Sequence, residues 1–312
     1  MSAAQNHSKP ILIAGPTASG KSALAMAIAE HVGGEIINAD SMQVYRELRV
    51  LSARPTEEEE ARVPHALYGF VPAGEAYSAG RFVRDAAGAI AKARSEGRRP
   101  VIVGGTGLYF KALIEGLSPI PDIAADVRDY WRRAGEERGA GALHGELQRV
   151  DPAMARRLAP TDTQRIVRAL EVIQSTGRSL AEWQSLRGEP VIDEAEAVRF
   201  AVSGDRAELH ARADARFDRM MREGALDEAL VLSLLRLDPD LPAMRAIGVR
   251  PLLRLVAGEI SEDEARELAK AETRQYIKRQ ETWLKRNMIT WTGVTTKETA
   301  SSLRDIFAFI QG

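Results

Sequence analysis

Residues 11–32 read ILIAGPTASGKSALAMAIAEHV, and the order of residue types in this stretch decides the fold. Ile11–Ala14 is a short apolar run of the kind that forms a buried strand, and Leu24–Ala29 is made of good helix formers. Between them Gly15, Pro16, Thr17, Ala18, Ser19, Gly20, Lys21 and Ser22 fill every fixed position of G-x-x-x-x-G-K-[ST]. Set between a strand and a helix, this pattern reads as a phosphate-binding loop (P-loop). Its glycines let backbone N–H groups turn inward around an anion, and the helix N-terminus adds its positive dipole end. Lys21 would reach the outer phosphate oxygens, and the Ser22 hydroxyl would hold Mg²⁺. A Gly-rich turn before a helix is the bland alternative. The filled positions and the flanking elements favour a site for a di- or triphosphate.

Further strand-like runs occur at Glu35–Ala39, Pro100–Gly104 and Arg199–Ser203, each short, apolar and bounded by Gly, Pro or Asp. Helical patterns fill the intervals, which is the signature of a buried parallel sheet with crossover helices. Residues 122–196 differ: 126–138, 143–150, 152–158, 162–176 and 180–186 all read as helix, with no strand among them. The expected fold is α/β, a P-loop NTPase-like parallel sheet flanked by helices, with an all-helical insertion. The first part of the core would be 1–121, the insertion 122–196, and 197–312 would complete the core with helices near 206–223, 225–237, 261–287 and 299–310.

The chain of 312 residues has 43 Lys+Arg against 44 Asp+Glu and no cysteine. Disulfides, thiol nucleophiles and thiolate metal sites are excluded. No run approaches a membrane span of roughly 18 apolar residues, and the first ten residues have no apolar core of a signal peptide, so a cytoplasmic, membrane-free protein is expected. A net charge of −1 announces no nucleic-acid partner, but its distribution is uneven. Arg266–Arg286 carries seven basic residues against three acidic, and Arg156–Arg168 carries four arginines and one aspartate. Such local basic faces suit a phosphate-rich partner over a limited surface, or are solvated helix faces.

Three other stretches narrow the chemistry. Asp40 follows the second strand in Asn38-Ala39-Asp40-Ser41-Met42-Gln43 and faces the ligand crevice of an open α/β sheet, as general base, Mg²⁺ ligand or helix N-cap. Gln43 offers a donor and an acceptor that suit one edge of an adenine. In Val103-Gly104-Gly105-Thr106-Gly107 the glycines allow close backbone approach, and Thr106 would present its hydroxyl at a helix N-terminus. Arg212, Arg216 and Arg219 share a helical face, as an arginine clamp on phosphates or as a solvated face.

Taken together, GPTASGKS, NADSMQVY, VGGTGLYFKAL, RADARFDRMM, the stretch Pro160–Val172 and the stretch Thr273–Trp283 resemble the tRNA dimethylallyltransferases, in the family's order from about residue 10 to 290. The resemblance implies a P-loop that holds the diphosphate of dimethylallyl diphosphate. The dimethylallyl group would go to N6 of the adenosine 3′ of the anticodon in tRNAs reading codons that begin with U. By the same resemblance Lys21, Ser22 and the rest of the loop, with Arg212, hold diphosphate and Mg²⁺. Asp40 is the base, and Thr106 and Arg216 flank the leaving diphosphate. Ser41, Met42 and Gln43 lie against the adenine. Arg128, Gln164, Arg165, Ile166, Val167, Arg168, Arg274, Lys278, Arg279, Gln280 and Lys285 contact the anticodon stem-loop, by a protein acting as a monomer. The run Arg49–Pro55 departs from the D-I-G-T-A-K-P common in the family, with Arg54 keeping one basic residue before the proline. A P-loop kinase would share the loop and the arginines, but would not call for the basic 266–286 helix. A nucleotide-switch GTPase would need D-x-x-G and N-K-x-D motifs, which are absent in suitable places.

Overall fold

Ile11–Ala14 forms β1, and all four residues are buried because helices cover both faces of the sheet it centres. The computed structural model describes residues 9–295 and 303–311. In chain order, β1 is followed by α1 (Lys21–Val32), β2 (Gly34–Asn38), α2 (Glu57–Arg62), β3 (His65–Ala66), α3 (Ala79–Ser95), β4 (Arg99–Gly104) and α4 (Gly107–Glu115). Then come α5 (Ala125–Val150), α6 (Pro152–Ala155), α7 (Thr163–Thr176) and α8 (Leu180–Ser185). The chain continues through β5 (Val198–Ser203), α9 (Arg206–Arg222), α10 (Ala225–Leu234), α11 (Val249–Val256), α12 (Glu262–Asn287), β6 (Thr292–Thr295) and α13 (Leu303–Gln311).

The six strands form one parallel sheet in the order β3-β2-β4-β1-β5-β6. Ile13 lies in register with Val103 on one side and Phe200 on the other. Leu12 and Ala14 pack into one core with Ile37, Ile102 and Phe110, while Ile11 and Ile13 pack into a second with Leu24, Ile28 and Phe200. Burial on both faces is why these strands read as continuous apolar runs and not as alternating ones. The chain crosses from β1 to opposite sides of the sheet, so a crevice opens beyond its carboxyl end.

The chain divides into two compact units, one of residues up to Ile114 and from Val191 onward, the other Glu115–Pro190. The second is wholly helical among its elements: α5 and α7 pack around Trp131, Leu143, Leu147, Ile166 and Leu170, and Trp131 Nε1 donates to Gln174 Oε1 at 2.6 Å. Its bounds differ from the expected 122–196. Val191 and Ile192 already donate to Leu113 O at 2.9 and 3.0 Å, which returns the chain to the sheet unit before the next strand begins.

Three elements were not anticipated. β3 has only two residues, and β6 exposes all but Val294, so neither has an apolar run to read. α11 contains Pro251, which looks like a breaker but sits in the first turn, where its missing N–H has no partner to lose. Part of the helix expected at 299–310 falls outside the described residues.

Candidate active site

The P-loop leaves β1 with Gly15 and Pro16 buried and turns through Ala18 (φ 64°) and Gly20 (φ 79°) into the N-terminus of α1. The left-handed conformation of Ala18, unfavourable for a residue with a Cβ, marks strain held at this turn. Lys21 Nζ donates to Pro16 O at 3.3 Å, folded onto its own loop. Burial pushes the Lys21 ammonium down from 10.5 to about 8, with Asp40 opposing the drop and Arg216 adding to it. Arg216, on α9, is likewise pushed down by burial and held up by Asp40. Three charges from three elements therefore act on one another at the carboxyl end of the sheet.

No helix follows β2 before α2, so Asp40 is not a helix cap. Its Oδ1 accepts the Met42 N–H at 3.0 Å in a local turn. Gly105, on the facing loop, leaves room beside Oδ2: a Cβ there would lie 3.3 Å from it. That loop comes close because Gly104 has no side chain. A Cβ on Gly104 would lie 2.1 Å from Ala39 O, the carbonyl that accepts the Thr106 N–H at 3.2 Å. Thr106 Oγ1 accepts the Ser41 N–H at 2.9 Å and lies 3.3 Å from Ser41 Oγ.

Two cavities open at this point. The larger, about 510 Å³, is lined by Ser22, Gln43, Arg54, Tyr68, Arg216 and Arg219 among others. The smaller, about 240 Å³, is lined by Thr17, Asp40, Ser41, Met42, Tyr276 and Arg279 among others. Arg216 and Met220 line both, so the two chambers share a wall. Ser19 Oγ, deep in the loop, is buried without a hydrogen-bond partner among the described residues. No group of three His, Asp or Glu side chains among the described residues could cage a metal. The exposed Ser22 hydroxyl suits Mg²⁺, which is commonly held by one or two protein ligands, with substrate phosphates and water completing the shell.

Several expected residues lie elsewhere. Arg212 lines neither chamber; it is exposed and pairs with Glu208 at 3.7 Å, while Arg216, one turn further along α9, lines both. Gln43 faces the larger chamber, apart from Asp40, Ser41 and Met42, and donates both amide hydrogens to Ser52 O and Ala53 O. Ile166 is fully buried in the helical unit and offers no surface contact. Gln280 is also buried: Oε1 accepts the Thr17 N–H at 2.9 Å, and Nε2 donates to Gly105 O at 3.0 Å. A polar residue on the buried stripe of α12, with Ala269, Thr273 and Ile277, was the available signal, since such a group needs internal partners. Arg274 pairs with Asp214 at 2.7 Å, and Lys270 with Asp218 at 2.8 Å, so the first half of the basic helix is spent on α9. Lys278, Arg279 and Lys285 are exposed, as are Arg128, Gln164 and Arg165, while Val167 and Arg168 are half-buried. Tyr276 escaped the sequence reading, whereas Arg219, read there only as one of three arginines on a helical face, lines the larger chamber.

Fold and site define a P-loop α/β protein whose loop opens onto a two-chambered cleft. The IPP transferase family model matches residues 43–287, and the isopentenyl transferase model residues 9–64. The tRNA dimethylallyltransferase of Parvibaculum lavamentivorans is 54% identical over 302 residues, 97% of this chain and 96% of that one. That of Mesorhizobium japonicum is 55% identical over 281 residues, 89% and 86% of the two chains. The crystal structure of the tRNA isopentenylpyrophosphate transferase from Bacillus halodurans superimposes with a TM-score of 0.69 at 32% identity, covering 97% of each chain. A eukaryotic dimethylallyltransferase acting on tRNA gives 0.80 at 27% identity, over 96% of this chain and 77% of that one. The chain belongs to the tRNA dimethylallyltransferase family. No helix among the described residues is long and apolar enough to cross a membrane.

Proposed function

We propose that this protein transfers the dimethylallyl group of dimethylallyl diphosphate to N6 of an adenosine in tRNA and releases diphosphate. The target is the adenosine 3′ of the anticodon in tRNAs reading codons that begin with U. The reading rests on family membership and on one geometric observation: Arg216 lines both chambers, with Asp40 on one side and the P-loop Ser22 on the other.

The diphosphate lies on the P-loop N–H groups, with Lys21 and Arg216 as its cations. The adenine enters the smaller chamber against Ser41 and Met42. As the bond from N6 to the dimethylallyl C1 forms, the C1–O bond breaks and its electron pair leaves with the diphosphate. The N6 proton passes to Asp40, whose assistance an amine conjugated to a purine needs. In this reading Lys21, Arg216 and Thr106 stabilise the charge that concentrates on the leaving diphosphate. Mg²⁺, held by Ser22, would supply further charge neutralisation when bound. An adenine in an anticodon loop is single-stranded, so extruding it costs little. Exposed Lys278, Arg279 and Lys285 on α12, and Arg128, Gln164 and Arg165 on the helical unit, supply contacts to the RNA.

The test is to offer dimethylallyl diphosphate, ATP or GTP with unmodified tRNA and analyse the digested nucleosides by mass spectrometry. One five-carbon addition on adenosine, from the dimethylallyl donor and only in the presence of tRNA, is expected. Nucleotide consumption with a small alcohol as acceptor would replace this reading with a kinase.

A further inference from the structure

Between Leu48 and Pro55 the chain runs through consecutive turns, and no strand or helix partners its backbone. Yet three successive N–H groups of this loop converge on one side chain. Glu228 Oε1 accepts from Arg49 at 2.8 Å and from Val50 at 2.6 Å, and Oε2 accepts from Leu51 at 2.9 Å. Successive N–H groups turned to one point form a concavity that binds anions, and here the anion comes from α10. Glu228 stands in the first turn of that helix, its own N–H bonded to Gly224 O at 3.1 Å.

The loop so gathered builds the cleft. Arg49, Val50, Ala53 and Arg54 line the larger chamber, and Leu51 and Ser52 line the smaller. The remaining ties are local. The Ala53 N–H donates to Val50 O at 2.9 Å, the Arg54 N–H to Arg49 O at 3.0 Å, and the Arg49 guanidinium to Pro55 O at 3.1 Å. Gln43 holds the carbonyls of Ser52 and Ala53, and the Ser52 hydroxyl bonds Leu48 O. None of these ties accepts the N–H groups of Arg49, Val50 and Leu51. Ala53 is left-handed, with φ at 55°, a conformation that lasts only where the surroundings impose it. Glu228 lines neither chamber.

We infer that Glu228 is a positioning residue: an internal anion that templates the loop forming the walls of both chambers, and so sets donor and acceptor geometry without touching either. Its link to catalysis rests on the proposed function; its link to the loop does not. A carboxylate is required, because an amide would aim its NH₂ at one of the three N–H groups, and Asp falls one methylene short.

The experiment compares the whole protein with Glu228→Gln and Glu228→Ala. Calorimetry with inorganic diphosphate, steady-state kinetics with dimethylallyl diphosphate and tRNA, and melting temperature are the readouts. In Glu228→Gln we expect diphosphate affinity and kcat/KM for the donor to fall about tenfold or more, the loss of a charge-assisted contact, while tRNA affinity is unchanged. In Glu228→Ala, added acetate restores part of the loss by refilling the concavity; in Glu228→Gln, where the space is full, it does not. Unchanged diphosphate affinity and kinetics in the folded Glu228→Gln protein overturn the inference, as does a Glu228→Ala defect indifferent to acetate. If neither variant folds, amide exchange in the native protein decides: protected N–H groups at 49, 50 and 51 support the template, and exchange as fast as an open loop refutes it. A native protein that binds diphosphate but modifies no tRNA would count against the proposed function and leave the diphosphate comparison standing.

Discussion

The side-chain amide of Gln280 accepts the backbone N–H of Thr17 at 2.9 Å, so a helix more than 250 residues downstream holds the P-loop in place. Through its other end, bonded to Gly105 O, the same amide fixes the loop that carries Thr106. Gln280→Leu would leave one buried donor and one buried acceptor unpaired, a cost of about 1–3 kcal/mol each. We expect a lowered melting temperature and a KM for the donor raised about tenfold, measured by calorimetry and steady-state kinetics. Donor kinetics equal to those of the native protein would reduce Gln280 to a packing residue.

Asp40→Ala removes the proposed base together with the acceptor of the Met42 N–H, whereas Asp40→Asn removes the base and keeps an acceptor there. Single-turnover rates should fall roughly 10²–10⁴-fold, the usual contribution of a general base, with tRNA affinity unchanged. A near-native rate would transfer that role to another group.

Lys21 carries the pH dependence. With its folded value at about 8, below the ordinary 10.5, the unfolded chain binds more protons in the interval between them. Stability of the unliganded protein from this group therefore rises with pH across that interval and is lowest below it. Diphosphate reverses the preference, since it favours the charged amine. Donor affinity should hold below about pH 8 and weaken above it by up to tenfold per pH unit, with proton uptake visible by calorimetry in two buffers. Lys21→Met should abolish donor binding yet raise the melting temperature of the empty protein. A lower melting temperature would contradict the burial argument.

The RNA contacts predict a salt dependence. Lys278→Ala with Arg279→Ala should weaken binding to cognate and non-cognate tRNA alike, because phosphate contacts position but do not specify. Each lost contact should lower the log–log slope of affinity against salt by roughly 0.7–0.9. Arg274→Ala should change the slope less, as its charge is already paired with Asp214. An unchanged slope in the double variant would return α12 to a solvated face.

Much of the site could be read from residue order because it lies where strands end. Lys21, Asp40 and Thr106 each follow a strand whose apolar run is unmistakable, and parallel strands deliver their carboxyl ends to one edge. Arg216 came from helical spacing, which also offered Arg212; spacing fixes a face but not which turn of it meets a cavity. Gln280 and Glu228 were misread or missed for a different reason. Their partners are backbone N–H groups far along the chain, and a backbone group leaves no mark in residue type. The boundary at Glu115–Pro190 escaped for the same cause, since the closing bonds run between backbone atoms.

That closure, in which Leu113 O receives both Val191 and Ile192, makes the helical unit a cassette gripped at the neck. Closing such a neck costs the host an entropy that grows only with the logarithm of the insert's length. Helices can be added, shortened or exchanged beyond the neck at little cost to the sheet. The surface that the insert presents can therefore be changed without disturbing the phosphate-binding loop at the end of β1.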